Sequence, residues 1–156
     1  MKGASIVEIK KELSHKSYEE LAELCLRLAK FKKENKELLT YLLFESHNEE
    51  GYIESVKSYI DEQFELINTN SYFYIRKSAR KILTNTKKFI RYSQNKETEV
   101  ALLLYFCQKL KNFSPSIKHS AQLQNMYNRQ TLLIKKIVST LHEDLQYDYN
   151  LVLNEL

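Results

Sequence analysis

Turn-forming residues are scarce in this chain of 156 residues, which contains two glycines and one proline. Tryptophan is absent. A β-sheet or α/β protein of this length needs more glycine and proline to make its turns. The rest of the chain is rich in leucine, lysine and glutamate, which favour helices. The composition therefore predicts an all-α fold, and the length is that of a single domain over residues 1–156.

Long uncharged apolar stretches are also missing from the sequence. A membrane-spanning helix needs about 18 or more consecutive apolar residues, and no such stretch occurs. Residues 1–11 carry several charges in the region where a secretion signal has its apolar centre. We therefore expect a cytoplasmic protein with no membrane partner.

The sequence has few of the residues that build catalytic or metal sites. Cys25 and Cys107 are the only cysteines and are far apart. Each lies in an apolar run, which predicts a reduced core residue. Glu12 and His15 have the spacing used in di-iron bundles, but the second Glu-x-x-His motif that such sites need is absent. No zinc-protease motif and no glycine-rich phosphate loop occurs. We therefore expect no enzyme activity, no cofactor and no metal.

Apolar residues at helical spacing predict six to seven antiparallel helices in a compact or slightly superhelical bundle. A short stack of helical repeats stays open as an alternative, although the sequence shows no self-similar period. Ser17-x-x-Glu20 is a capping box, and Asn48 is a second helix start. Two apolar runs, 37–44 and 100–107, are predicted to be helices of the core. Ser114-Pro115 predicts the start of the longest helix, of about 30 residues, ending near Leu145.

Charge is distributed in blocks along the middle of the chain. Residues 48–70 contain six acidic residues and one lysine, whereas residues 71–96 contain eight basic residues and no acidic one. On a helical wheel the second block has one apolar face and one outer face. The apolar face consists of Ile75, Ala79, Ile82, Leu83, Thr86 and Ile90. The outer face carries seven cations, namely Arg76, Lys77, Arg80, Lys81, Lys87, Lys88 and Arg91.

A helix of this kind usually alternates Glu with Lys to limit repulsion between like charges, and this one has no Glu. The pattern therefore favours a non-enzymatic module that binds a polyanion, either a nucleic-acid backbone or an acidic protein, through the outer face of the helix at residues 72–94. Tyr72, Tyr74 and Tyr92 lie beside these cations and suit stacking on exposed bases, or else serve at the edge of the core.

Two alternatives remain for the basic block. In the first, acidic residues of the preceding helix reach the flank cations Arg76, Lys81 or Lys87 and leave a solvated surface; the candidates are Glu54, Asp61, Glu62 and Glu65. In the second, the protein is a structural or interaction module, a homodimer formed through the long C-terminal helix, with no nucleic-acid role.

Overall fold

The computed structural model describes all 156 residues. Helices hold 79% of them and there is no strand, which confirms the all-α prediction. The eight α-helices are α1 Ile6–Leu13, α2 Tyr18–Phe31, α3 Lys33–Thr40, α4 Glu49–Glu65, α5 Tyr72–Ser93, α6 Lys96–Lys111, α7 Ala121–Val138 and α8 Glu143–Glu155. A π-helical turn, Tyr41–Glu45, follows α3, and a 3-10 turn, Ile117–His119, precedes α7.

Two compact units make up the chain, residues 1–44 and residues 45–156. The first holds α1 to α3 and the second holds α4 to α8. A single domain over residues 1–156 stays a prediction. The antiparallel order of the helices stays a prediction as well.

The helix α6 is the centre of the second unit. Helices α4, α5 and α7 pack against it, α4 and α5 also pack against each other, and α8 packs on α7. The run 100–107 lies in α6, and Leu102, Leu103, Phe106 and Cys107 have no exposed surface. The prediction that this run is a core helix is confirmed, and so is the burial of Cys107.

The first unit differs from the prediction. Helices α2 and α3 pack together, but Tyr41 is the only buried residue in this unit. The run 37–44 was expected at the centre of a core, whereas Leu42, Leu43 and Phe44 are exposed. Cys25 is exposed as well. Both predictions are wrong because a unit of this size has too few residues to enclose an interior.

The predicted C-terminal helix of about 30 residues is divided into α7 and α8, and the chain has eight α-helices where six to seven were predicted. Between α7 and α8, side chains donate hydrogen bonds to backbone carbonyl groups. The Ser139 and Thr140 hydroxyls donate to carbonyls of the preceding turn, and the Gln146 carboxamide donates to the Leu141 carbonyl at 2.7 Å. His142 then caps α8 by accepting from the Asp144 amide. Such side-chain bonds replace helical backbone bonds and end the helix without glycine or proline.

The start of α7 also differs from the prediction. Ser114 and Pro115 do not begin a helix, because Ser116 caps the 3-10 turn and Ser120 caps α7. The two predicted caps further upstream are confirmed. Ser17 and Glu20 form a capping box at 3.2 and 3.3 Å, and the Asn48 side chain accepts from the Gly51 amide at 3.0 Å.

Candidate polyanion-binding face

Helix α5 turns one face to the core of the second unit. Its buried residues are Ile75, Ala79, Ile82, Leu83, Thr86 and Ile90, the same six that helical spacing predicts. The buried Thr86 hydroxyl donates to the Ile82 carbonyl at 2.8 Å, so this face leaves no polar group unsatisfied at that position. With the core face determined, the opposite face of α5 is directed outward.

The outward side carries the seven predicted cations, which we call the basic face: Arg76, Lys77, Arg80, Lys81, Lys87, Lys88 and Arg91. None of the seven is buried. Lys77, Arg80, Lys81 and Arg91 are exposed, and the other three are half-buried. From Arg76 to Arg91 the face extends about 22 Å along the helix at 1.5 Å per residue.

Asp61 and Glu54, two of the α4 carboxylates that the first alternative invokes, do not pair with the basic face. The Asp61 carboxylate lies 2.9 Å from Lys109 Nζ in α6 and accepts from the Tyr105 hydroxyl at 2.7 Å. The Glu54 carboxylate lies 3.2 Å from Lys57 Nζ within α4 itself. The two carboxylates therefore have partners away from α5.

Asp61, Tyr105 and Lys109 form a cluster in which the neighbouring groups stabilise the ionised Asp61 carboxylate. Desolvation by burial opposes ionisation of Asp61, but hydrogen bonds from Lys109 and Tyr105 and the charge of Lys109 outweigh it, so the pKa of Asp61 lies below its usual value. Burial, together with the hydrogen bond to Asp61, raises the pKa of Tyr105 to about 12. This carboxylate is therefore ionised at neutral pH and directed to α6.

Only two of the seven cations have identified contacts. The Arg76 guanidinium donates to the Gln122 side-chain oxygen in α7, and the Lys88 ammonium lies 4.9 Å from the centroid of the Phe89 ring. No hydrogen bond or ion pair holds the side chains of Lys77, Arg80, Lys81, Lys87 and Arg91. The middle of the basic face thus presents cations with no internal counter-charge.

Two exposed aromatic side chains stand at the start of α5. Phe73 is 59% exposed and Tyr74 is 46% exposed, and their ring centroids lie 5.5 Å apart in an edge-to-face arrangement. Phe73 precedes Lys77 by four residues and Arg80 by seven, so it lies on the same side of the helix as the cations.

Of the three tyrosines considered from the sequence, only Tyr74 is exposed. The Tyr72 hydroxyl donates to the Ser116 carbonyl at 2.7 Å. The Tyr92 ring packs on the Phe89 ring, with 6.1 Å between the two ring centroids. Phe73 is not among the predicted aromatic residues, although its spacing from Lys77 and Arg80 in the sequence places it on the same side of the helix.

The structure contains neither a metal-binding cluster nor a membrane-spanning helix. No three His, Cys, Asp or Glu side chains come together in a way that would hold a metal ion. None of the helices combines the length and the apolar sequence needed to cross a bilayer.

Comparisons with known proteins add no family to these observations. The chain matches no family model, and no curated protein and no solved structure is significantly similar to it.

Proposed function

We propose that this protein is a non-enzymatic module that binds the phosphate backbone of nucleic acid through the basic face of α5. The observation that carries the proposal is the set of five cations on one helix face that have no internal partner, while Asp61 and Glu54 are paired elsewhere. Uncompensated like charges on one helix face repel one another and attract a polyanion.

Phosphates fit this surface better than base edges do. The middle of the face presents lysine and arginine, which contact phosphates at any sequence but base edges mainly at guanine, and it lacks the bidentate Asn and Gln contacts that read adenine. Each strand of duplex DNA carries one charge per about 3.4 Å of the helix axis, so a helix face about 22 Å long spans roughly six phosphates of one strand. Binding through such contacts is largely independent of sequence and strongly dependent on salt.

The aromatic pair supports an added contribution from unpaired bases. Phe73 and Tyr74 are exposed beside the cations, and base stacking on an aromatic ring contributes about 1 to 3 kcal/mol per base. We therefore expect a single strand to use both the cations and the rings, and a duplex to use the cations alone.

Fluorescence anisotropy with a labelled duplex and a labelled single strand tests the proposal. For four or five phosphate contacts, the log of the affinity should fall with the log of the salt concentration with a slope of about −3 to −5 on the duplex. Replacing Arg80→Glu and Arg91→Glu together should weaken binding to every sequence and make the slope less steep by about 2. Phe73→Ala should weaken binding of the single strand and leave the duplex unchanged.

A matched control is available on α7. Lys135→Glu with Lys136→Glu makes the same change in net charge at two exposed positions of another helix. The proposal fails if the wild type does not bind either probe at about 50 mM salt, or if the α5 reversal binds no more weakly than the α7 reversal. A surface that binds a glutamate-rich polypeptide but neither nucleic-acid probe would point to an acidic protein instead.

The alternative of a homodimer through the C-terminal helix loses the observation on which it depended. That helix was expected to be longer than the fold required, but α7 and α8 are separate helices of 18 and 13 residues.

A further inference from the structure

The first unit leaves an unusual amount of apolar surface uncovered. In α2, Leu28 is 60% exposed and Phe31 is 76% exposed. Open clefts of 570 and 190 Å³ run along α2 and α3, with Leu26, Leu28, Leu39 and Leu43 among the residues that line them. A monomeric protein rarely exposes large contiguous apolar surface, which marks an interaction site when it occurs.

The apolar residues of α2 form one row along the helix. Leu21, Leu24, Leu28 and Phe31 are separated by three, four and three residues, which places them on one face. Leu21 is half-buried and the other three are exposed. The row therefore resembles half of a helix–helix seam, and α3, which packs on α2, leaves Leu24, Leu28 and Phe31 exposed.

A row of charges runs beside the apolar row. Each apolar residue of the row is directly preceded by a charged one, in the order Glu20, Glu23, Arg27 and Lys30. Residues one position earlier lie about 100° round the helix, so the four charges border the apolar row along its length. The order is two acids followed by two bases, and all four residues are exposed.

The order of charges along the border, acidic then basic, is complementary to the same order read in the opposite direction. If a second α2 lies antiparallel on the first, the same border of each helix meets the other, and the acidic half of one faces the basic half of its partner. In a parallel pair the charged border of one helix would meet the opposite border of the other, and the complementarity would be lost.

We infer that the occupant of this surface is a second copy of the chain, bound through an antiparallel α2–α2 contact with two-fold symmetry. Burial of the leucine and phenylalanine row supplies the attraction, and the charged border selects the orientation. The inference does not depend on nucleic-acid binding, because it concerns α2 and not the basic face.

The experiment measures molar mass in the absence of nucleic acid. Sedimentation or light scattering of the full chain over about 1 to 100 µM should show a species of twice 18.6 kDa.

Two charge variants test the orientation of the two helices. Glu20→Lys with Glu23→Lys makes the border basic throughout, and Arg27→Glu with Lys30→Glu makes it acidic throughout. Each variant alone should be monomeric, and an equimolar mixture of the two should recover the dimer.

One further test variant and three control variants accompany this measurement. Leu24→Ser with Leu28→Ser should abolish dimerisation, whereas Leu132→Ser, at an exposed leucine of α7, should not. Glu20 also belongs to the capping box of α2, and Glu20→Gln keeps the capping group while it removes the charge. Arg80→Glu with Arg91→Glu should leave the molar mass unchanged.

A wild-type protein that is monomeric over the whole range overturns the inference. A mixture of the two charge variants that stays monomeric, while each variant keeps the helical circular dichroism of the wild type, overturns the antiparallel contact. Recovery of the dimer in the mixture supports it, because loss of folding or of a cap in one variant would not be repaired by the other.

Discussion

Asp61, Tyr105 and Lys109 form a small polar cluster between α4 and α6. In this cluster the Asp61 carboxylate pairs with a cation of α6 and not with one of α5. Sequence spacing allowed Asp61 to reach the cations of α5. In the structure it lies 2.9 Å from Lys109 and accepts from Tyr105 at 2.7 Å. Each charge in this pair is more than a third exposed, so solvent screening keeps its contribution small.

A pH-dependent effect is expected from Asp61. Its pKa in the folded protein lies below the ordinary value of 3.8. A lowered pKa stabilises the fold at pH values above 3.8, and this contribution is lost as the pH falls through the lower, folded-state value. Asp61→Asn should therefore reduce the free energy of unfolding at pH 7 by up to about 1 kcal/mol. The difference between variant and wild type should shrink below about pH 4.

Urea unfolding of both proteins at neutral and acidic pH measures this difference. Glu62→Gln, at an exposed neighbouring carboxylate of α4, serves as the control and should have little effect. A difference between Asp61→Asn and wild type that stays constant down to pH 3 or so would show that packing, not charge, explains the role of Asp61.

Among the elements, α6 and the turn after α3 have similar apolar sequences and opposite environments. Leu103 in α6 has no exposed surface, whereas Leu42 is 53% exposed. Burial removes apolar surface from water, and only a residue covered on all sides leaves a cavity when it is truncated. Leucine identity and local hydrophobicity therefore do not determine how much either residue stabilises the fold.

Truncating these two leucines should have unequal effects on stability. Leu103→Ala should lower the free energy of unfolding by about 2 to 5 kcal/mol, since it leaves a cavity in the core. Leu42→Ala should lower it by less than about 1 kcal/mol, although both runs were predicted to be helices of the core. Urea denaturation followed by circular dichroism compares the two. Equal losses would mean that a further chain or segment covers Leu42 in solution.

At the scale of the whole molecule, the buried core lies almost entirely in one unit. Every buried apolar residue except Tyr41 belongs to residues 45–156. The first unit, in contrast, has capping boxes on α1 and α2 but no interior of its own. Apolar burial is the main favourable contribution to folding, so the free energy of the fold is concentrated in the second unit.

A fragment of residues 45–156 should therefore fold without the first unit. We expect a cooperative urea transition and a helical circular dichroism spectrum, with Leu103→Ala as destabilising in the fragment as in the full chain. A fragment that is unfolded, or that unfolds without cooperativity, would instead support the single domain over residues 1–156 that the length predicts.

The sequence by itself determined the features that depend on neighbours along the chain. The scarcity of glycine and proline excluded a sheet, the capping residues Ser17 and Asn48 located two helix starts, and helical spacing identified all six buried residues of α5. The basic face was visible for the same reason. A helix relates residues three and four apart whatever the rest of the protein does, so which side chains share a face is a local property.

Only the tertiary structure decided which apolar faces are covered and which charges meet. Cys25 and Cys107 lie in similar apolar runs, yet the first is exposed and burial raises the pKa of the second to about 12. The pairing of Asp61 with Lys109 joins residues 48 positions apart in the chain. Burial and ion pairing depend on distant segments that approach in space, and the spacing of residues along one helix carries no information about which segment approaches it.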